Sequence, residues 1–133
     1  MLQVRTSVSA MLLVLAFAVS PLHAQYVEIY RLDNAVKGLP EQEVLSQLAT
    51  HLGISLDAVK QEKADSKVSV GQLYVAQLIA KLTKSDFKTV MAEFKSGKAW
   101  GVIAKERKIE MDQLSKDAKE LENALKKTQR ASQ

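Results

Sequence analysis

The sequence predicts an all-α fold, and three observations support this class. Apolar residues recur at steps of three and four along most of the chain, which is the spacing of a helix with one buried face. Serine precedes several of these stretches and glycine follows some of them, as at capped helix ends. No stretch alternates apolar and polar residues as a half-buried strand does. We therefore expect the 133 residues to contain a small helical bundle.

Residues 1–24 have the order of a secretory signal peptide. Arg5 supplies a positive charge, residues 11–19 form an uninterrupted apolar run, and Pro21 then interrupts it ahead of the small residue Ala24. This charged, apolar, small-residue order is typical of a cleavable leader. The chain is therefore predicted to be exported, to the periplasm or out of the cell.

Two cleavage points compete in this leader. Residues 16–18 match the small-x-small pattern but lie inside the apolar run, so we expect cleavage between Ala24 and Gln25. The alternative is an uncleaved membrane anchor, for which the run is shorter than the roughly 20 residues that span a bilayer. We expect no stable membrane anchor after cleavage.

The composition of the mature chain excludes several classes of protein. Removal of Arg5 lowers the net charge from +4 to +3, and acidic residues are interleaved with the basic ones. Such a balance does not indicate a nucleic-acid or membrane-surface partner. There is no cysteine, so the domain must be stabilised by its apolar core rather than by disulfides.

The first mature segment, residues 25–39, is either a short helix or an extended arm, and we favour the helix. A helical domain is predicted to follow over residues 40–128. Pro40 suits the first position of a helix that ends at Gly53. Ser55 then caps a short helix reaching Val59 or Lys63, with residues 65–67 as a polar linker.

The second half of the domain begins with Ser69, which caps a helix over residues 70–82. This helix is apolar around most of its circumference, so we expect it to be the central, most buried element. Thr83 and Asp86 resemble a capping box for the next helix. Its predicted buried face is formed by Phe87, Val90, Met91 and Phe94.

Two helices are predicted to complete the chain, over residues 100–107 and about 110–127. Asp112 with Lys116, and Glu122 with Lys126, are acid-first pairs that stabilise the exposed face of the last helix. Residues 129–133 are expected to fray.

A shift of 55 residues aligns two parts of the chain. Leu48-Ala49 falls on Ile103-Ala104, and Ile54 falls on Ile109. Each copy contains a helix, a tight turn and a second helix; Gly53 makes the first turn, whereas Lys108 must adopt a positive φ or a different turn. The sequence therefore predicts two helix-turn-helix-like hairpins around the central helix.

The first hairpin resembles a DNA-binding helix-turn-helix. Gly53 would make the turn, Ile54 would fill the hairpin, and Ser55 would cap the recognition helix. That helix carries Asp57 and Glu62 and no arginine, so it lacks the side chain that reads guanine. We interpret the hairpin as structural, with a DNA-binding domain on an uncleaved anchor as the alternative.

The stretch of residues 97–104 contains the pattern Gly-x-x-Trp-Gly-x-Ile-Ala, built on Trp100, Gly101, Ile103 and Ala104. Here the chain resembles small exported bacterial helical proteins of unknown function that carry this pattern after an amphipathic helix. The resemblance spans about 70 residues and implies a helical exported domain, with no activity or ligand. This chain has Arg107-Lys108 where a glycine usually follows in those proteins.

Trp100 is predicted to be a core residue rather than a ligand platform, because an indole buries a large apolar area. Gly101 would let another helix approach closely. Gly97 and Gly101 do not indicate a phosphate loop, since no strand precedes them and no Gly-Lys-Ser/Thr follows.

No catalytic, metal or cofactor site is indicated. After cleavage one histidine remains, His51, and with no cysteine it cannot form a zinc site. It is expected to interact with the helix C-terminal dipole. A Ser-His-Asp triad has no nucleophile-elbow motif to support it. We therefore expect a protein-binding or structural module with no cofactor, no nucleic-acid partner and no enzymatic activity.

Overall fold

The structure is a computed structural model that describes residues 21–133, with side chains from residue 27 onward. The described residues form seven helices and no strand, which confirms the all-α prediction. The helices are α1 (Pro21–Ala35), α2 (Glu41–Leu52), α3 (Leu56–Ser66), α4 (Val70–Thr83), α5 (Phe87–Lys95), α6 (Trp100–Glu106) and α7 (Met111–Ala131).

Most of the predicted signal peptide, residues 1–20, lies outside the described residues. The predicted cleavage point between Ala24 and Gln25 falls within α1. None of the helices from α1 to α7 combines the length and the apolar character needed to cross a membrane.

The segment 25–39, predicted to be a short helix or an extended arm, is helical as far as Ala35, where α1 ends. Ile29, Leu32 and Ala35 of α1 are buried, and α1 packs against α4, α6 and α7. The Ser115 hydroxyl on α7 donates a hydrogen bond of 2.8 Å to the Glu28 carboxylate. The first described helix is therefore an integral part of the core.

α4 lies at the centre of the bundle. A capping box forms its first turn: the Ser69 Oγ accepts from the Gln72 N–H, and the Gln72 side chain accepts from the Ser69 N–H, each at 3.2 Å. Every residue from Leu73 to Ala80 is buried, and α4 packs against α1, α2, α3, α5 and α7. Its nearly continuous apolar sequence thus reflects neighbours on most sides.

Four helices end in the same pair of hydrogen bonds. After α2, the N–H of Gly53 donates to Thr50 O (3.3 Å) and that of Ile54 donates to Ala49 O (3.1 Å). After α6, 55 residues later, the N–H of Lys108 donates to Lys105 O and that of Ile109 donates to Ala104 O, both at 3.0 Å. Lys108 has a φ of +56°. These are Schellman turns. Because α4 and α5 end in the same way at Lys84 and Gly97, the turn alone does not single out a 55-residue repeat.

The boundaries of several elements differ from the sequence prediction. Pro40 is not inside α2 but precedes it as its N-cap. α3 extends to Ser66, so the predicted linker over residues 65–67 is wrong, and only Lys67, with a φ of +56°, leaves the helix. α7 continues through Ala131, well into the segment that was expected to fray.

The predicted capping box of Thr83 and Asp86 is wrong. Thr83 is the last residue of α4, and its hydroxyl donates to Ile79 O at 2.7 Å. Asp86 occupies the N-cap position of α5 but makes no capping hydrogen bond. The Thr83 hydroxyl therefore bonds to the backbone of α4 instead of capping α5.

The structure does not confirm the arrangement of two hairpins around α4. α2 and α3 pack against each other as a hairpin does, and both contact α4. In contrast, α6 packs chiefly on α1 and α5, whereas α7 packs on α1, α2 and α4. The two halves of the chain thus share a local turn while their helices have different neighbours.

Candidate functional site

Trp100 begins α6 and is buried, with 6% of its surface exposed. Its ring stacks on Phe94 of α5, with the ring centroids 4.2 Å apart and the planes inclined by 10°. Gly101, Ile103 and Ala104 are buried as well. Within the described residues the indole Nε1 has no hydrogen-bond acceptor. This stretch packs helices together and presents no aromatic surface to a ligand.

Two adjoining cavities lie beside α3, α4 and α5, with volumes of about 300 and 330 Å³. Glu62, Asp86 and Phe87 line both of them, so the cavities meet at these residues. We call the combined depression the α3–α5 groove. One end reaches Lys95 on α5, and the other reaches Ile54 at the turn between α2 and α3.

The centre of the α3–α5 groove holds a partly buried carboxylate. Glu62 on α3 accepts a hydrogen bond from the side-chain amide of Gln77, which is only 8% exposed on α4. Burial raises the pKa of Glu62; the Gln77 hydrogen bond opposes this rise, and the negative charge of Asp86 adds to it. Among residues 27–133 Glu62 has no cationic partner.

A second polar group of the groove lacks a partner altogether. Ser66, the last residue of α3, lines the cavity and is 7% exposed, and its Oγ makes no hydrogen bond to any described residue. A buried hydroxyl without a partner carries a desolvation penalty.

The floor of the groove is apolar, and its ends are basic. Phe87 and Met91 are buried and line the cavity beside α5. Lys88 and Lys95 lie at the α5 end and Lys81 at the opposite end. None of these lysines forms an ion pair with Glu62 or Asp86 in the described part of the chain. Three carboxylates, those of Glu62, Asp65 and Asp86, thus line the groove together with three lysines, and Asp65 accepts hydrogen bonds from the Gln61 amide.

Sequence reasoning missed this site. In the sequence, Glu62 is one of two acids on the candidate recognition helix, and Ser66 falls in a predicted linker. One signal was available in the sequence: Gln77 is polar in the middle of an otherwise apolar helix. A buried amide in such a helix needs a partner on a neighbouring element, and here that partner is Glu62.

His51 lines a smaller cavity of about 140 Å³, together with Tyr74, Asp117 and Glu120. It lies in the last turn of α2, and its buried Nε2 has no hydrogen-bond partner in the described part of the chain. The Tyr74 hydroxyl donates to Asp117 O at 3.2 Å. Burial, followed by the charges of Asp117 and Glu120, raises the pKa of Tyr74 above its usual value. The tyrosine therefore stays protonated and joins α4 to α7.

Arg107, which follows α6, joins three elements. Its guanidinium donates to the Glu93 carboxylate on α5 and to the Ser85 hydroxyl after α4, each at 2.5 Å. Both charged side chains are largely shielded from solvent. Arg107 thus fixes the C-terminal end of α6 against the loop that precedes α5.

The remaining features of the described chain offer less for binding. A depression of about 490 Å³ between α2 and α3 is lined by Glu41, Gln42, Leu45, Lys60, Lys63 and Ala64. It contains none of the buried polar atoms that lack partners. No group of three potential metal ligands occurs among the described residues. The α3–α5 groove is therefore the best candidate site.

Comparison with known proteins gave no match: no protein-family model, no curated protein and no solved structure is similar to this chain.

Proposed function

We propose that this chain is an exported helical protein that binds a protein partner in the periplasm or outside the cell, and that it has no catalytic role. The observation that carries the binding proposal is the α3–α5 groove. The groove combines a partly buried Glu62 with an apolar floor at Phe87, and Ser66 beside them has a buried hydroxyl with no partner among the described residues. The export proposal rests on the order of residues in positions 1–24.

The chemistry of the groove suits recognition. The residues that line its two cavities include no histidine that could act as a base for a serine nucleophile. A carboxylate held by an amide recognises a complementary charge and fixes the orientation of an apolar contact.

Export is tested by fractionating the cells that make the protein and measuring its intact mass. We expect the chain in the extracytoplasmic fraction, beginning at Gln25 with or without cyclisation of that residue. A full-length chain in the cytosol or in the inner membrane would contradict the export proposal.

Partner binding is tested by photo-crosslinking in those cells. A photoreactive residue replaces Lys88, which is exposed at the groove, and in a control it replaces Lys119, which is exposed on α7. We expect a covalent adduct with another protein from position 88 only. No adduct from position 88, or equal adducts from both positions, would contradict binding at this surface.

The alternative function is DNA binding through α2 and α3, and one feature favours it. Gly53 has a φ of +68° and the Ser55 Oγ accepts from the Ala58 N–H at 3.1 Å, which is a helix-turn-helix connection. Asp57 is exposed on the would-be recognition helix, where it would repel phosphates. We expect no duplex binding in a mobility-shift titration; micromolar binding with steep salt dependence would favour this alternative.

A further inference from the structure

We infer that the α3–α5 groove takes a peptide segment of the partner in which one lysine or arginine stands beside an apolar side chain. The basic side chain would lie between Glu62 and Asp86, and the apolar one on Phe87 and Met91. This inference rests on the proposed function, because it specifies the partner that the groove binds.

The two carboxylates favour a cation at the centre. Glu62 and Asp86 line both cavities of the groove, and the negative charge of Asp86 contributes to the raised pKa of Glu62. Within the described chain neither has an ion-pair partner. Asp86 also makes no capping hydrogen bond to α5, although it occupies the N-cap position. A single positive charge between them would attract both carboxylates.

The buried groups around the carboxylates favour a side chain with an apolar stem over a hydrated ion. Phe87 and Met91 form the apolar floor next to Glu62, and lysine and arginine bury their methylene groups along such surfaces. Ser66 lines the same cavity, and its hydroxyl is enclosed without a hydrogen-bond partner among the described residues.

The lysines at the ends of the groove limit the number of positive charges on the partner. Lys88 and Lys95 lie along α5, and Lys95 is about 13.5 Å beyond Asp86 at the helical rise of 1.5 Å per residue. Lys81 lies at the other end. A polybasic segment would meet these cations at both ends, so the partner carries its positive charge at one position.

The test uses the protein purified from the cells that make it and a short fluorescent alanine-based helical peptide. The peptide carries two leucines and one lysine on the same face. Fluorescence anisotropy measures its affinity, and two further peptides replace the lysine with norleucine or glutamate. We expect about tenfold weaker binding with norleucine and no measurable binding with glutamate, because a charge-assisted contact is lost or reversed.

Protein variants assign this effect to the groove. Glu62→Gln keeps an acceptor for Gln77 and removes the charge, and Asp86→Asn does the same at the second carboxylate. Each should weaken binding of the lysine peptide about tenfold without altering the norleucine peptide. Asp57→Asn removes an exposed charge from the same helix outside the groove and should leave all affinities unchanged. Circular dichroism verifies that each variant is folded.

Several results would overturn the inference. Equal affinity for the lysine and norleucine peptides would exclude recognition of a cation by the groove. This result would overturn the inference but not the proposed function if photo-crosslinking from position 88 still captures a protein. If hexylamine displaces the labelled lysine peptide as effectively as the unlabelled peptide does, the ligand of the groove is a small amine rather than a peptide. Self-association that Glu62→Gln abolishes would indicate a second copy of this chain. Lysine-specific peptide binding without any crosslinked protein would support the inferred groove chemistry and reject only the cellular partner.

Discussion

The carboxylate of Asp33 on α1 accepts a hydrogen bond of 2.7 Å from the backbone N–H of Gly71 in the first turn of α4. The N–H groups of a first helical turn have no partner within their own helix, and the positive end of the helix dipole favours an anion there. Asp33 therefore caps a neighbouring helix and fixes the crossing of α1 over α4.

Substitution of Gly71 with alanine tests this crossing. An added Cβ would lie 2.6 Å from the Ile29 backbone oxygen and 3.0 Å from the Asp33 carboxylate. Helix propensity alone predicts a gain of about 1 kcal/mol for Gly→Ala, whereas the steric overlap predicts a lower free energy of unfolding. Urea denaturation of the wild type and of Gly71→Ala measures the sign of the change in the free energy of unfolding. An unchanged or raised free energy of unfolding would contradict the close packing of α1 on α4.

Trp100 is the only tryptophan, so its fluorescence reports on the packing of α6. We expect blue-shifted emission in the native protein and a red shift on denaturation. Trp100→Ala should lower the free energy of unfolding by about 3–5 kcal/mol. Trp100→Phe should cost less, since it keeps a ring to stack on Phe94 and removes the unpartnered Nε1–H. Native emission typical of exposed indole, or a Trp100→Ala variant with an unchanged melting temperature, would contradict the core position.

Lys108 is held at a φ of +56° by the turn after α6. Residues other than glycine are disfavoured in this left-handed region, so Lys108→Gly should raise the free energy of unfolding by about 0.5–1 kcal/mol. Lys105→Gly serves as the matched control: Lys105 is exposed within α6, and there glycine should lower stability by about 1 kcal/mol. Thermal denaturation of both variants gives the comparison. Destabilisation by both glycines would rule out relief of strain at position 108.

The pH dependence of stability should report on Glu62. Its pKa in the folded chain is raised, chiefly by burial, so the folded state holds this proton more tightly than the unfolded state does. Protonated Glu62 therefore stabilises the folded state. This stabilisation is complete at pH values below the pKa of the unfolded chain, near 4.5, and it is lost as the pH rises through the pKa of the folded chain. Glu62→Gln should therefore become more stable relative to the wild type as the pH rises over that window. Denaturation at a series of pH values measures the difference, and a pH-independent difference would contradict it.

Local signals in the sequence predicted the local features of the fold. Ser55 and Ser69 cap their helices through hydrogen bonds to residues three positions later, and Gly53 ends α2 in the left-handed region. These contacts lie within a few residues, so the residue types at fixed spacing are sufficient to identify them. Trp100 was also expected in the core, since an indole is large and apolar.

Features that depend on distant residues could not be predicted in this way. The hydrogen bond between Asp33 and Gly71 joins residues 38 positions apart, and its formation depends on how α1 crosses α4. The groove likewise requires Glu62 and Gln77 to face each other across two helices. No periodicity or cap pattern contains that information, because both describe one helix at a time.

The pairing of α1 with α7 has a consequence for the order of folding. Ser115 and Glu28 are 87 residues apart, yet they are joined by a hydrogen bond, and Gln129 donates to the carbonyl of Lys37. A ribosome releases the segment of α1 long before that of α7, so α1 can pack on α4 and α6 before its contacts with α7 become available. Contacts of such long sequence separation slow folding. The nascent chain consequently lacks the contacts between α1 and α7 until synthesis reaches the last helix.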